Sequence, residues 1–392
     1  MTPMRLPTSG ALAMKLAAAG LLLLVAACAE TPTTTDLASG PDIATVDNVM
    51  TAFMEKYSVP GLSLAITKDE RLVYLKAYGR ADDTRALRTK DRFRLGSVSK
   101  PITSVTIMRL VEMGRLSLDQ RVFGPGAILG TTYGTQPYGA GITNITVDHL
   151  LHHTGGGWPN VYATDPMSNN LSMSIDELIT WALDNQPLVS TPGSAFSYSN
   201  FGYAVLGRVI ERVTGTSYAN AVQTLVLDPA GITDMAIAGN TLADRQADEV
   251  KYYGQSGQDP YSQNISRMDA HGGWIASAKS LTKLLVRIDG FGGKPDILSS
   301  STLDVMTTGS SANSGYAAGW KVNALHDWWH GGSLPGTQTV ISRTVSNGNY
   351  NFVVLTNTHS AASTFQPDLE QLFWKALAVT PSWPDIDLFQ AP

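Results

Sequence analysis

The chain carries a clear helical pattern in the stretch that follows Phe93. Apolar residues recur on one helical face at Ile102, Val105, Met108 and Val111. Gly114 stands where such a helix would end, and Pro101 is tolerated in its first turn. The pattern predicts a helix with Ser97 just before its N-terminus.

Strand patterns are confined to the two ends of the chain. Apolar runs flank the polar residues 68–70 within 59–79 and predict a hairpin. Four further runs predict strands after residue 315: "YAAGWKVN", "DWWHGGS", "TQTVISRTV" and "NYNFVVLTN". Asn347-Gly348 is a hairpin turn signal, and residues 365–379 predict a last helix. Because the middle of the chain reads as helices and loops, this order predicts an α/β domain with an all-α insertion and a site at their seam.

The N-terminus has the pattern of an export signal. In "MKLAAAGLLLLVAAC", Lys15 precedes an apolar run that is shorter than the ~20 residues a spanning helix needs. The end of this segment resembles a bacterial lipobox, in which Cys28 would be lipidated and become the first mature residue. A plain secretory signal and a short membrane anchor are the alternatives. We therefore expect residues 1–27 to be a signal peptide, with Met14 favoured over Met1 as the start.

The segment that follows predicts a tether between a membrane and a folded domain. Residues 28–44 would comprise the lipidated cysteine and a flexible Thr/Pro-rich stretch. Residues 45–380 would form the folded domain, with an α/β part at about 45–115 and 291–380 and a helical part at about 116–290. This reading predicts an exported lipoprotein on the periplasmic or cell-envelope face of a membrane.

Composition narrows the classes of partner. The 392 residues carry a net charge of −5 without a basic block, which argues against nucleic acid. Cys28 is the only cysteine, so no internal disulfide can form. Of the seven histidines, His149, His152 and His153 cluster, but their spacing lacks a zinc motif and favours structural roles. His271 could approach a site, although a structural role is favoured there too. We expect neither metal nor cofactor.

Ser97 and Lys100 are the first candidate pair for chemistry. A serine is a poor nucleophile at neutral pH and needs a base close by. Three residues span about one helical turn, so Lys100 would sit beside Ser97. A lysine acts as a base only when neutral, which requires desolvation or a nearby cation. Ser280 and Lys283 repeat the spacing, but they read as a solvated helix face.

Two later segments supply the groups that such a pair needs. Tyr198-Ser199-Asn200 lies in a predicted loop before a helix, where Tyr198 and Asn200 can point into one cleft. Tyr218 and Asn220 have the same spacing, but inside a helix such side chains diverge. His330-Gly331-Gly332-Ser333 stands at the end of a predicted strand. The backbone N–H groups of Ser333 and Ser97 could together hold an oxyanion.

These three motifs, in this order, resemble those of the penicillin-recognising serine hydrolases. The Tyr-x-Asn form resembles the branch that holds class C β-lactamases, DD-carboxypeptidases, D-aminopeptidases and family VIII carboxylesterases. "LLHHTGG" and "GYAAGW" resemble two further motifs of that branch, and the resemblance covers about residues 45–380. It implies an α+β fold with an antiparallel sheet flanked by helices, an all-α insertion, and an active site at the seam.

The resemblance also implies a mechanism. Ser97 would attack an acyl carbon, Lys100 and Tyr198 would take and relay its proton, and water would cleave the acyl-enzyme. Whether Lys100 or Tyr198 is the formal base stays open. Asn200 would orient Lys100 or bind the amide side of the substrate, and His330, Gly332 and Ser333 would contact or orient the substrate.

The third motif departs from the Lys-Thr-Gly of typical class C β-lactamases. His330 is mostly neutral at pH 7 and Gly331 lacks a threonine hydroxyl, so binding of a β-lactam carboxylate should weaken. Trp158, Trp328 and Trp329 lie close to the motifs and would suit acyl or aryl esters if they face the cleft; the alternative is that they are core residues.

The sequence therefore predicts a serine hydrolase that cleaves esters or small amides, with an esterase favoured. A DD-carboxypeptidase, a D-aminopeptidase and a weak β-lactamase are alternatives. A non-catalytic binder of cell-wall peptides is an alternative of another class, but a binder would not need Ser97, Lys100 and Tyr198 together.

Overall fold

A computed structural model describes residues 40–390. The predicted signal peptide, Cys28 and most of the tether lie outside the described residues, so those predictions stay predictions. No helix within 40–390 is long and apolar enough to cross a membrane.

A six-stranded antiparallel sheet forms the centre of the fold. Its strands follow the order β2-β1-β10-β9-β8-β7. The bounds are β1 Gly61–Lys68, β2 Arg71–Gly79, β7 Lys321–Val322, β8 Trp328–Leu334, β9 Thr337–Thr344 and β10 Tyr350–Thr356. The chain ends thus pair with each other, since β1 lies beside β10 with Leu62 opposite Thr356. The predicted hairpin of 59–79 and the predicted C-terminal strands are these elements.

Helices cover both faces of this sheet. One face carries α1 Ala44–Tyr57, α10 Phe365–Glu370 and α11 Leu372–Val379. The predicted final helix is therefore two helices, with a break at Gln371. Alternate residues of β1 point to the two faces: Leu64 packs with this helical layer, while Ala65 packs into the larger core on the opposite face.

The larger core lies between the other face of the sheet and a second set of helices. Its helices are α2 Ser99–Glu112, α3 Val147–Leu151, α4 Ile175–Asn185, α5 Asn200–Thr214, α6 Tyr218–Val222, α7 Asp269–Gly272, α8 Ala278–Leu285 and α9 Ser300–Thr307. Helix α2 is buried on nearly every side, because it packs against α5, α7 and α9. The predicted all-α middle, about 116–290, also holds short strands that are too brief for a period-two signal: β4 Ala236–Ile237, β5 Tyr253–Gly254 and β6 Trp274–Ala276. An equally short strand, β3 Phe93–Arg94, precedes α2.

These short strands tie the helical part to the sheet. Strand β6 pairs with β3 on one side and β4 on the other. Strand β5 pairs in parallel with β11 Thr358–His359, which directly follows β10. The result is an α+β fold in which the turn before α2 lies against β8, at the seam that the sequence predicts.

Candidate active site

Ser97 lies in a one-turn 3-10 helix, Gly96–Val98, that leads directly into α2. Gly96 has a φ of +53°, a left-handed conformation that favours glycine. This turn bends the chain so that Ser97 is partly exposed, whereas Gly96, Val98 and Lys100 are buried. The predicted position of Ser97 at the start of the helix is therefore observed.

Lys100 is fully buried one turn further along α2, and its ammonium nitrogen lies among three oxygens. Nζ is 3.2 Å from Ser97 Oγ, 2.8 Å from Asn200 Oδ1 and 3.1 Å from the carbonyl oxygen of His271. Burial lowers the pKa of Lys100 well below its usual 10.5, and the charge of Asp165 opposes that shift. Desolvation thus favours the neutral amine that a base requires.

The two carbonyl acceptors decide where the lone pair of a neutral Lys100 points. A neutral amine has two N–H donors, and the oxygens of Asn200 and His271 can only accept. Both N–H groups are therefore used, and the lone pair is left facing the Ser97 hydroxyl. The geometry suits transfer of the serine proton to lysine.

Tyr198 contacts the same pair from the loop before α5. Its ring centroid lies 4.7 Å from Lys100 Nζ, and its hydroxyl hydrogen-bonds the Ser97 side chain. Burial raises the pKa of Tyr198, and the hydrogen bond to Ser97 offsets only part of that shift. Tyr198 is therefore a neutral phenol at ordinary pH, able to donate a proton as well as to accept one.

Asn200 is the first residue of α5, which Ser199 caps by accepting a hydrogen bond from Gly202 N–H. The Asn200 amide nitrogen donates to Asn160 Oδ1 at 2.9 Å and to Asp165 Oδ2 at 3.4 Å. The structure thus brings Ser97, Lys100 and Asn200 together with Tyr198, from two segments of the chain. Tyr218, the competing tyrosine, is instead buried between Thr103 and Trp274.

Ser333 reaches the site because two glycines allow β8 to approach the turn before α2. A Cβ atom on Gly96 would lie 2.8 Å from Ser333 N, and one on Gly332 would lie 1.8 Å from Leu95 O. The backbones of Ser97 and Ser333 are therefore neighbours, as a shared oxyanion site requires.

His330 faces away from solvent and uses both ring nitrogens inside the protein. Ser199 N–H donates to His153 Nδ1, so His153 must carry its proton on Nε2 and donate to Tyr316 Oη. Tyr316 in turn donates to His330 Nε2 at 3.0 Å, and His330 Nδ1 donates to the Gly331 carbonyl at 2.7 Å. Burial and the charge of Lys100 lower the pKa of His330 to about 3. A neutral His330 with both nitrogens bonded has no donor left for a substrate carboxylate.

Gly331 corrects one expectation drawn from the third motif. A Cβ atom there would lie 3.1 Å from Gln366 Nε2 of α10, on the opposite face of the sheet from Ser97. A threonine hydroxyl at this position would therefore not face the pocket, and its absence removes no donor from the site.

A pocket of about 380 Å³ opens beside Ser97 and Ser333. Its other lining residues are mostly amides, hydroxyls and short apolar groups: Asn160, Asp165, Met167, Ser168, Asn200, Gln258, Gln263, Met268, His271, Gly272, Leu334, Pro335 and His359. Within the described residues, no lysine or arginine and no tryptophan is among them.

Of the two alternatives for the tryptophans near the motifs, an aromatic cleft is not observed in this pocket. Trp158 is buried against Phe201, with ring centroids 4.9 Å apart, and Trp328 is buried beside Trp320. Trp329 lines a separate pocket on the far side of the sheet. Trp158 and Trp328 follow the core alternative.

Other residues with candidate patterns lie elsewhere or have structural roles. Ser280 bonds Asp234 and is nearly buried, so the second Ser-x-x-Lys is not the solvated face that the sequence predicts. No group of three or more His, Cys, Asp or Glu side chains among residues 40–390 could hold a metal ion.

Three residues of the site were not identified as site residues from the sequence. Asn160 and Asp165 lie in the long loop after α3, where no spacing or periodicity marks them. His271, for which the sequence favours a structural role, contributes its carbonyl to Lys100 and also lines the pocket.

The fold and these contacts together define a Ser-x-x-Lys hydrolase type of site. A family model described as Beta-lactamase matches residues 46–373. The chain therefore belongs to the β-lactamase family.

Two curated relatives match half of the chain. Esterase EstB of Burkholderia gladioli is 32% identical over 217 residues, which cover 52% of this chain and 53% of EstB. A penicillin-binding protein of Bacillus subtilis (strain 168) is 31% identical over 209 residues, covering 50% of this chain and 42% of that protein. The matched regions thus span about half the length of these relatives.

Solved structures share the fold at lower identity. A class C β-lactamase superposes with a TM-score of 0.70 at 18% identity, covering 87% of this chain and 96% of its own. The D-amino acid amidase from Ochrobactrum anthropi SV3 superposes with a TM-score of 0.68 at 19% identity, covering 86% of this chain and 97% of the amidase. At these identities the likeness establishes the fold alone.

Proposed function

We propose that this chain is a serine hydrolase that cleaves carboxylic esters or small amides through a covalent acyl-Ser97 intermediate. One observation carries the proposal: a fully buried Lys100 whose lone pair, when the amine is neutral, faces Ser97 Oγ at 3.2 Å. A non-catalytic binder of cell-wall peptides would gain nothing from desolvating a lysine against a serine, which is unfavourable for folding.

The first half-reaction follows from these contacts. Lys100 takes the proton of Ser97 as Oγ attacks the substrate carbonyl carbon, and the oxyanion is held by the N–H groups of Ser97 and Ser333. Tyr198 donates its proton to the departing alkoxide or amine and is reprotonated from Lys100. Water then attacks the acyl carbon, with the same groups acting in reverse, and frees the acid.

The pKa shifts favour Lys100 over Tyr198 as the base in the free enzyme. Burial moves the pKa of Lys100 down, toward neutral amine, while it moves the pKa of Tyr198 up, away from phenolate. Tyr198 fits the relay, because its hydroxyl contacts Ser97 and its ring lies against Lys100.

The pocket favours an ester or small amide without a free carboxylate. Its described lining has no lysine or arginine, and His330 has no free nitrogen. β-Lactams and the C-terminal D-Ala of a cell-wall peptide both present a carboxylate that this pocket does not pair. Similarity to a protein named an esterase supports the same choice. A DD-carboxypeptidase, D-aminopeptidase or weak β-lactamase remains the alternative activity.

The direct test compares three substrates on wild type and Ser97→Ala. We expect turnover of p-nitrophenyl butyrate that the substitution abolishes, with slow hydrolysis of nitrocefin and of a D-Ala-D-Ala peptide. Fast release of D-Ala would replace the esterase proposal with a carboxypeptidase. Ester turnover that survives Ser97→Ala would exclude Ser97 as the nucleophile.

We also propose that the protein is exported and anchored through a lipid on Cys28. The lipobox-like segment and the Thr/Pro-rich stretch after it support this. Cys28→Ala should move the protein from the membrane fraction to the soluble envelope fraction. A wild-type protein that carries no lipid by mass spectrometry would contradict the proposal.

A further inference from the structure

We propose that Asp165 is a positioning residue that locks the side-chain amide of Asn200 and so aims the lone pair of Lys100 at Ser97. The inference rests on the proposed function and deepens it, because it names the group that prepares the base. Asp165 does not itself touch the reacting atoms.

The orientation of the Asn200 amide must be fixed by a partner, because the two ends of an amide have nearly the same shape. An asparagine side chain can turn by 180° at little steric cost, which exchanges its oxygen for its NH2 group. Lys100 requires the oxygen of Asn200 at 2.8 Å, because an NH2 group there would face the N–H donors of lysine. Some partner on the far side of Asn200 must therefore accept hydrogen bonds and never donate them.

Asn160 cannot serve as that lock. Its side-chain oxygen accepts from Asn200 Nδ2 at 2.9 Å, but Asn160 is exposed and its own amide can turn. Its backbone N–H donates to the Tyr198 carbonyl, which fixes the main chain. This hydrogen bond does not fix which end of the Asn160 side-chain amide faces Asn200. If both amides turned, Asn160 would donate from its NH2 group to the oxygen of Asn200, and the hydrogen bond would be kept.

Asp165 can serve as the lock, because an ionised carboxylate only accepts. Its Oδ2 lies 3.4 Å from Asn200 Nδ2, so a turned Asn200 would place oxygen against oxygen. Asp165 is fully buried, and its two oxygens accept from Met167 N–H at 2.9 Å and from Ser168 Oγ–H at 3.0 Å. The carboxylate therefore has a fixed place from which to orient Asn200.

The loop that carries Asp165 is held in turn by a buried arginine. Arg267 donates to three backbone carbonyls of this loop, those of Met167, Asn170 and Met173. Burial raises the pKa of the Asp165 carboxyl, and the hydrogen bonds from Met167, Ser168 and Asn200 oppose that shift and favour the ionised form. The charges of Arg267 and Asp165 attract each other across this contact. The long loop after α3 is thus fastened next to α7, whose His271 carbonyl is the second acceptor for Lys100.

Asp165 affects the pKa of Lys100 as well as the direction of its lone pair. The other titratable groups that face Lys100 are aromatic or imidazole rings: Tyr198, Tyr203, His153, His271 and His330. Burial lowers the pKa of each of these histidines, so they are neutral. Asp165 is thus the acid that supports the protonated form of Lys100, and its removal should lower the pKa of Lys100 further.

The test is the pH profile of kcat/KM for p-nitrophenyl butyrate in Asp165→Asn. An asparagine can present either end to Asn200, so the lock is lost, and a misplacement of about 1 Å at a reacting group lowers the rate by roughly 100-fold. We expect kcat/KM to fall by roughly 10- to 100-fold, and the acidic limb of the profile to move to lower pH.

A matched control separates this role from a general effect of losing a buried acid. Asp289 is also fully buried and accepts a hydrogen bond from Asn351 Nδ2 at 2.7 Å, away from Lys100. Asp289→Asn should leave the position of the acidic limb unchanged, whatever it does to stability. Should Asp165→Asn fail to fold, Ser168→Ala loosens the same carboxylate and should lower kcat/KM in the same direction by a smaller factor.

A double-mutant cycle decides whether Asp165 works through Asn200. In an Asn200→Ala background, Asp165→Asn should cause little further loss of rate, because the amide that it orients is gone. Additive losses, an unmoved acidic limb, or a wild-type rate in Asp165→Asn would each overturn the inference. Failure of the proposed function would look different: the wild type itself would show no turnover that depends on Ser97, and the inference would fall with it.

Discussion

At the scale of single residues, the site depends on a lysine that is buried without an ion-pair partner in direct contact. The neighbours of Lys100 Nζ are neutral oxygens, and burial lowers its pKa. The rate of Ser97 acylation should therefore rise with pH through that lowered pKa, since only the neutral amine can take the serine proton.

Lys100→Arg tests this directly, because a guanidinium stays protonated in proteins. We expect kcat/KM on p-nitrophenyl butyrate to fall by roughly 10²- to 10⁴-fold, the usual contribution of a general base. Stopped-flow measurement of Ser97 phosphonylation by a fluorophosphonate, in which Oγ displaces fluoride, checks the attack of the serine across pH without turnover. An arginine variant that is phosphonylated at the wild-type rate would rule out Lys100 as the base.

A second prediction for a single residue concerns His330 and the free energy of unfolding. Its pKa is lowered from 6.5 to about 3 in the folded state, so the unfolded chain binds the extra proton between these values. The free energy of unfolding should therefore decline as pH falls from about 6.5 toward 3. Urea unfolding followed by circular dichroism measures this decline, and it should be shallower in His330→Gln.

The exposed His326 offers a control for that measurement. His326→Gln removes an exposed histidine and so controls for the loss of one imidazole from the chain. An equal change in both variants would mean that the buried relay of His153, Tyr316 and His330 does not hold His330 neutral.

At the scale of elements, activity depends on how closely β8 approaches the turn before α2. Gly96→Ala would strain a φ of +53° and place Cβ 2.8 Å from Ser333 N. Because removal of one oxyanion donor lowers kcat by roughly 10²- to 10³-fold, we expect a loss of that order in ester turnover. Gly114→Ala carries the same kind of strain at φ +65° but meets nothing within 4 Å. A comparable loss of kcat in Gly114→Ala would contradict the proposed contact.

The helices on the far face of the sheet should affect stability and leave the chemistry alone. Phe365 of α10 packs against Phe53 and Tyr57 of α1, with ring centroids 5.4 and 4.9 Å away. Phe365→Ala should lower the free energy of unfolding by about 3–5 kcal/mol, as large-to-small core substitutions do. Denaturant unfolding measures this loss, and kcat/KM below the transition should stay near wild type. A selective loss of activity would show coupling through the sheet that the packing does not predict.

For the whole molecule, the sequence predicts those features of the fold and the site that depend on residues close together in the chain. Short-range patterns predict the helix that begins beside Ser97, the terminal strands and the three motifs. The order of these motifs along the chain resembles that of the penicillin-recognising serine hydrolases. The fold class and the grouping of Ser97 with Lys100, Tyr198 and Asn200 could be stated on that basis.

The remainder depends on contacts between distant segments. Asp165 lies in an unpatterned loop, and only the fold places it behind Asn200. The face of β8 that meets α10 decides whether a side chain at position 331 would point to the pocket or away from it, and whether Trp328 is buried. Because both faces of the strand are covered, its sequence pattern does not specify which face that is. The short strands β3 to β6 pair two or three residues at a time, below what periodicity can reveal.

The central claim is that Ser97 forms the covalent intermediate, and peptide mass spectrometry after fluorophosphonate labelling tests it most directly. We predict a single adduct on the peptide that contains Ser97, absent from Ser97→Ala and greatly slowed in Lys100→Arg. Ser99, two residues away, is fully buried and bonded to Trp274 N–H, so it should stay unlabelled. No adduct on the folded wild type, or an adduct at another residue that persists in Ser97→Ala, would contradict the account.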